Sequence, residues 1–426
     1  MHIHQANRVR RAWNSRFAWG SCWALSAVWA AAFPLISTLD THRLWGSSAG
    51  VGYLGAAAVA LWLPRPRAAR AASVGLALTG AVVLPLVHLV LTGRAQSEVG
   101  VIERSGMLLI QQATPYLADP RAVIDYTPYL PGMALFGLPR VVFGGDGWLS
   151  LLLGDARVWC AAAFLGCLWG GRRILRGPTA ELGADRRDFP YGLGVAALVA
   201  SPVVALPLCV SGVDLPLIGL LCLGLAAAAR RRPVAAGLAL ALACSLKWTG
   251  WPAIAVAVFL LAHGAGRRAA RRCAGVSAAG AALLIVPSAL LSPGAMVQQV
   301  LAFPTGRGDL PTPASSPLPG RLLADLGPGG WYVAVALLLA GGLAVAVSLV
   351  VRPPHDLVSA ADRLALGLSV AFLLAPAGRF GYLALPVVLM VWPRLARGER
   401  DTRVPSARPP VHAFARGVPA LAGGAR

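Results

Sequence analysis

The sequence predicts an all-α fold, a polytopic bundle of about twelve membrane-spanning helices. Three observations predict it. The 426-residue chain is 57% hydrophobic and only 13% charged, where a soluble protein carries about 25% charged residues. Apolar runs of roughly 17 residues or more recur along its length, as spanning helices require. Cations, finally, collect on one side of those runs. A closed barrel would also satisfy backbone hydrogen bonds in lipid, but its alternating strand pattern is absent.

The runs place spans at 17–37, 47–64, 71–92, 155–171, 190–209, 214–229, 234–248, 250–265, 272–291, 331–351, 363–377 and 380–394. The first follows a basic segment, residues 1–16, with Arg8, Arg10, Arg11 and Arg16. No small-residue cleavage site follows it, so the expectation is a retained anchor. With that segment in the cytoplasm, 28 of the 38 cations and 7 of the 17 anions fall on the inner side. The outer side receives 10 of each, so the whole net charge of +21 is internal, as the positive-inside rule requires. A plasma (inner) membrane protein with both termini cytoplasmic follows. Spread over many short loops, the positive charge argues against nucleic acid as a partner. The seven cysteines all lie in apolar segments without a CxxC pair and read as small packing residues.

Two outer loops are long, 93–154 and 292–330. The first holds a helix-forming stretch from Glu98 to Gln112, then a break at Thr114-Pro115-Tyr116. Residues 128–143 are apolar but broken by Pro and Gly, and fit a re-entrant segment buried against protein. The second loop, with Pro311, Pro313, Pro317 and Pro319, reads as a flexible flap. The tail 395–426 is Arg- and Pro-rich and reads as a disordered cytoplasmic segment. No Walker motif is present, which argues against an ATP-driven pump.

The acids of the first loop are Glu98, Glu103, Asp119 and Asp125. A carboxylate partly withdrawn from water at a lipid–water boundary makes a competent general base. The bland alternative for any one of them is a solvated loop charge. Tyr116, Tyr126 and Tyr129 lie close by; aromatic faces stack on sugars, although an interfacial aromatic belt explains them equally well. Lys247 is the only lysine among 38 cations. It ends a span on the outer side, where an ammonium neutralises a phosphate as a point charge; snorkelling is the alternative, but arginine serves that role elsewhere in the chain. Arg379 and Tyr382 occupy a short outer hairpin, and Asp214 an outer turn where its expected role is to cap the following helix.

In order along the chain, EVGVIERSGMLLIQQATPYL (98–117), DYTPYLPGMALFGLPR (125–140), GVDLPLIGLL (212–221), RRPVAAGLALALACSLKWTG (231–250) and LLAPAGRFGYLALP (373–386) resemble the membrane glycosyltransferases of family 87, within the GT-C superfamily. The likeness runs from about 71 to 395. It implies a GT-C-like domain over 17–394, with its active site at the outer membrane face. It also implies a polyprenyl-phosphate-linked sugar donor, mannose in the best-known relatives, and a lipid or glycan acceptor. The family's catalytic acid, usually Asp, matches Glu98 here; the longer side chain keeps Glu103 open as a rival. No DxD pair occurs in the first loop, which argues against a divalent metal, and no cofactor is implied. The resemblance gives an inverting transferase: Glu98 or Glu103 as base, Lys247 and Arg379 on the donor phosphate, and Tyr116, Asp125, Tyr126, Tyr129, Asp214 and Tyr382 around sugar or acceptor. The alternatives are a transporter or lipid-sugar flippase, which predicts midplane ionisable groups and internal repeats, and a scaffold without chemistry.

Overall fold

The computed structural model describes residues 16–176 and 185–397. The basic amino-terminal segment up to residue 15 and the tail from 398 onward, both expected on the cytoplasmic side, lie outside the described residues. Each of the twelve apolar segments forms helix, and the described residues contain no β-strand, only a bridge between Ser315 and Gly378.

An amino-terminal hairpin opens the fold, α1 (Arg16–Ile36) against α2 (Asp40–Trp62), followed by α3 (Pro66–Leu91). Then come α4 (Ser97–Gln112), α5 (Ala156–Arg176), α6 (Asp185–Ala200) and α7 (Pro202–Val210). The centre is α8 (Leu215–Ala229), which packs on α5, on α9 (Pro233–Leu246) and on α10 (Pro252–Ala265). Around it stand α11 (Arg267–Leu291), α12 (Pro328–Val351), α13 (Leu357–Leu374) and α14 (Ala384–Arg397).

The position of each helix follows from its composition. Almost every residue of α8 is buried, in a helix apolar on all sides, as a helix surrounded by others must be. The most apolar span, α12, buries only 11% of its best window. An apolar helix with an unburied surface belongs at the lipid boundary.

Seven helices reach spanning length and apolarity, or nine if two bent pairs each count once. The difference from twelve has local causes. The residue before a proline avoids helical backbone; extended Ser201, before Pro202, bends α6 against α7 by 63°. At 15 and 14 residues, α8 and α9 fall short of the ~20 that cross a bilayer core. α9 stops where Lys247 turns extended (φ −156°, ψ 139°).

The helix expected from Glu98 to Gln112 is present as α4. Residues 131–143 form a 3₁₀ turn (Pro131–Gly137) and a short helix (Leu138–Phe143), the former packed against α4 and α9. Gly106 of α4 and Gly137 meet backbone to backbone; a Cβ on Gly137 would overlap the Ile102 carbonyl. The loop 292–330, expected to be a flap on the outer side, has structure of its own. It contains a π turn (Val297–Ala302) and a short helix (Pro319–Ala324). It also brackets Arg379: Ser316 N–H donates to Gly378 O at 3.0 Å, and Phe380 N–H donates to Ser316 Oγ at 3.3 Å.

Candidate active site

Lys247 and Asp214 meet across the turns that join α7 to α8 and α9 to α10. Lys247 Nζ donates to Asp214 Oδ1 at 2.8 Å. Asp214 occupies the N-cap position of α8, yet its side chain makes no capping bond. Charge pairing with Lys247 overrides the cap expected from local sequence. The ammonium also lies 4.4 Å from the ring centre of Tyr382 and 5.7 Å from that of Tyr129, within cation–π range. Two aromatic faces and a carboxylate therefore surround the single lysine, whose side chain is 12% exposed.

Glu98, in the first turn of α4, pairs with Arg379. Arg379 engages Oε1, while Oε2 is buried and has no hydrogen-bond partner among the described residues. The two pairs are joined by the hairpin itself, because Tyr382 N–H donates to Arg379 O at 3.1 Å. Glu98, Arg379, Tyr382, Lys247, Asp214 and Tyr129 thus form one linked group.

Of the other predicted residues, Tyr116 joins it only through the Tyr129 backbone, and Glu103, Asp125 and Tyr126 are held by other partners. Glu103 is clamped by Arg140 through bonds of 2.9 and 3.2 Å, and accepts the Ala156 N–H at 3.3 Å. Asp125 accepts from the N–H groups of Ala122 (2.8 Å) and Arg121 (3.1 Å), with Arg104 at 3.8 Å. The Ala122 N–H, above the other contacts, holds its carboxyl below the usual carboxylate range. Tyr116 is buried and donates to Tyr129 O at 2.9 Å, which anchors the loop that carries Tyr129. Tyr126 is buried and stacks on Phe303 at 4.4 Å.

Three supports went unread in the sequence. Arg157 and Asp155 form a buried bidentate pair, with bonds of 2.9 and 2.7 Å. Arg157 Nη1 also donates to Arg94 O (3.0 Å) and Cys209 O (2.9 Å). One guanidinium thus ties the strands of chain that lead into Glu98 and into Asp214. A charge at the start of a helix, at the edge of an apolar run, was the available signal. Gln299, wholly buried, accepts from Thr127 N–H at 3.0 Å and donates to Leu117 O at 2.7 Å. It clasps the loop 93–154 to the loop 292–330. His42 of α2 meets Gln96, Nε2 to Nε2, at 2.7 Å.

Among the described residues no group of three or more His, Cys, Asp or Glu side chains stands close enough to hold a metal ion. The linked group offers a carboxylate with one unbonded oxygen, two cations, a second acid and two aromatic faces. Such a set can accept a proton, hold a phosphate and face a sugar ring.

A family model for glycosyltransferase family 87 matches residues 126–376, more than half of the chain. It takes in Tyr129, Asp214 and Lys247; Glu98 precedes the match, and Arg379 and Tyr382 follow it. No curated protein and no solved structure matches the chain. With its apolar helices and this match, the chain belongs to glycosyltransferase family 87 and is a membrane glycosyltransferase.

Proposed function

We propose that the protein transfers a hexose, mannose as the first choice, from a polyprenyl-phosphate donor to the hydroxyl of a lipid or glycan acceptor. The reading places a GT-C-like domain over 17–394 in the plasma membrane, with outer loops 93–154 and 292–330 and cytoplasmic termini. Chemistry then takes place at the outer face and serves cell-envelope synthesis. The observation that carries the reading is the linked group of Glu98–Arg379 and Lys247–Asp214, with Glu98 Oε2 buried and unbonded.

Glu98 Oε2 takes the proton of the acceptor hydroxyl. The acceptor oxygen attacks the anomeric carbon from the face opposite the phosphate. The bond between that carbon and the phosphate oxygen breaks, and its electron pair leaves with the phosphate. Rear attack inverts the anomeric centre. Lys247 and Arg379 stand where cations oppose that developing charge, so the step needs no metal ion. Asp214 holds Lys247 in place, and Tyr129 and Tyr382 offer aromatic faces to the sugar. Of the two candidate bases, Glu98 is favoured over Glu103, because Arg140 and the Ala156 N–H occupy both oxygens of Glu103.

The experiment is transfer from radiolabelled polyprenyl-phosphate-mannose to a membrane lipid extract, by purified protein in detergent. Transfer by wild type that Glu98→Gln and Lys247→Ala both lose supports the donor and both roles. Full activity in Glu98→Gln would remove that residue from the chemistry.

A further inference from the structure

We infer that His42, on the amino-terminal hairpin, is a positioning residue for the catalytic end of α4. The inference rests on the reading of Glu98 as the base. The hairpin α1–α2 precedes the family-matched residues 126–376 by a wide margin. Its outer end nevertheless reaches the helix that carries Glu98.

A helix leaves its first N–H groups unsatisfied, and the N-cap side chain commonly accepts from one of them. Gln96 stands at the N-cap of α4, and its side chain makes no such bond. The first turn, with Glu98 two residues on, is therefore oriented by what holds Gln96 from outside.

Two contacts hold Gln96 from outside α4; a third, in which its carbonyl accepts from Val99 N–H at 3.0 Å, is the helix's own first bond. The Gln96 backbone N–H donates to Val210 O at 2.9 Å. Its side-chain amide meets His42 Nε2 at 2.7 Å; the amide N–H donates when the imidazole proton sits on Nδ1. The amide is the one of the three that another residue's side chain anchors. His42 is itself fixed: its ring packs edge-on to Phe33 at 5.5 Å, and its backbone lies in the first turn of α2. The imidazole thus stands at the start of α4, two residues before Glu98, and misplacement of a catalytic group by about 1 Å costs up to about 100-fold in rate.

The test uses the full chain in detergent and two readouts on His42→Ala, His42→Gln and Glu98→Gln. In the first, hydrogen exchange is followed over the peptide 97–105. His42→Ala should speed exchange in the first turn by about five-fold, the factor carried by one ordinary hydrogen bond, and His42→Gln, which can bond Gln96, should restore protection. Unchanged protection in His42→Ala overturns the inference, whatever the substrate. In the second, transfer from radiolabelled polyprenyl-phosphate-mannose is measured. His42→Ala should lower kcat by about 10- to 100-fold with donor KM and unfolding temperature held, and His42→Gln should recover most of it. A kcat that stays at the wild-type value, or one that falls only together with the unfolding temperature, overturns it. Glu98→Gln separates the two claims. If it stays active, the choice of base fails; if it is dead while His42→Ala is unimpaired, the base stands and the positioning role falls.

Discussion

Arg379 pairs with Oε1 of Glu98 and leaves Oε2 buried without a hydrogen-bond partner among the described residues. A buried polar atom of that kind calls for an explanation, and the proposed function supplies one in the acceptor hydroxyl. Glu98→Gln should lower the transfer rate by about 10²–10⁴-fold. Glu103→Gln removes a clamp on Arg140, so its transfer rate should stay within about ten-fold of wild type while its unfolding temperature falls. Initial rates and thermal unfolding of the two variants, side by side, check the assignment. Equal rate losses would return Glu103 to candidacy.

The Lys247–Asp214 pair should behave as a unit. Lys247→Met removes a bond of 2.8 Å whose partners are 12% and 21% exposed, and Asp214→Asn strips it of its charge. A double-mutant cycle on transfer rate should give a coupling of about 0.5–3 kcal/mol. Lys247→Arg should not rescue fully, because a planar guanidinium replaces a compact ammonium between two rings. Additive losses would mean that the two groups act separately.

Arg157 offers a stability prediction. Arg157→Met leaves Asp155 as a buried charge without its bidentate partner, a loss of about 3–5 kcal/mol. It also frees the carbonyls of Arg94 and Cys209. Thermal unfolding in detergent should show a large drop, and replacing both residues together should cost less than the sum of the single changes. A neutral Arg157→Met would show that water reaches the pair.

Gly137→Ala tests the close approach of the 131–137 turn to α4. The added Cβ overlaps the Ile102 carbonyl, and overpacking of this kind costs about 1–3 kcal/mol. Because Ile102 lies one turn after Glu98, transfer should fall as well. Gly93→Ala meets no atom within 4 Å, but Gly93 has a φ of 64°; Gly100, in regular helix with nothing within 4 Å, is the cleaner control. Gly100→Ala should leave stability unchanged or slightly raised.

The helices were legible because hydrophobicity is a local quantity that can be summed along a chain. The start of α4 was read one residue late, and all twelve apolar runs became helix. Spanning length was less legible, since the bend at Ser201–Pro202 and the end of α9 at Lys247 depend on backbone conformation at single residues. In the candidate site, Lys247, Asp214, Glu98 and Arg379 could be singled out by type and side, but not paired. Asp214 shows the reason: local rules assign its carboxylate to its own helix, while Lys247, 33 residues away, takes it instead. Glu103 is claimed by Arg140 in the same way.

By itself, then, the sequence determined a membrane-embedded helical bundle, and it singled out by type and place in the chain the residues proposed for the chemistry. It did so through composition, apolar run length and charge asymmetry, which need no knowledge of contacts. Only the tertiary structure decided which carboxylate retains an unbonded oxygen, which acid the lone lysine meets, and that His42 reaches Gln96, 54 residues on. Those outcomes depend on distances of about 3 Å between groups far apart in the chain, and packing of the helices sets such distances.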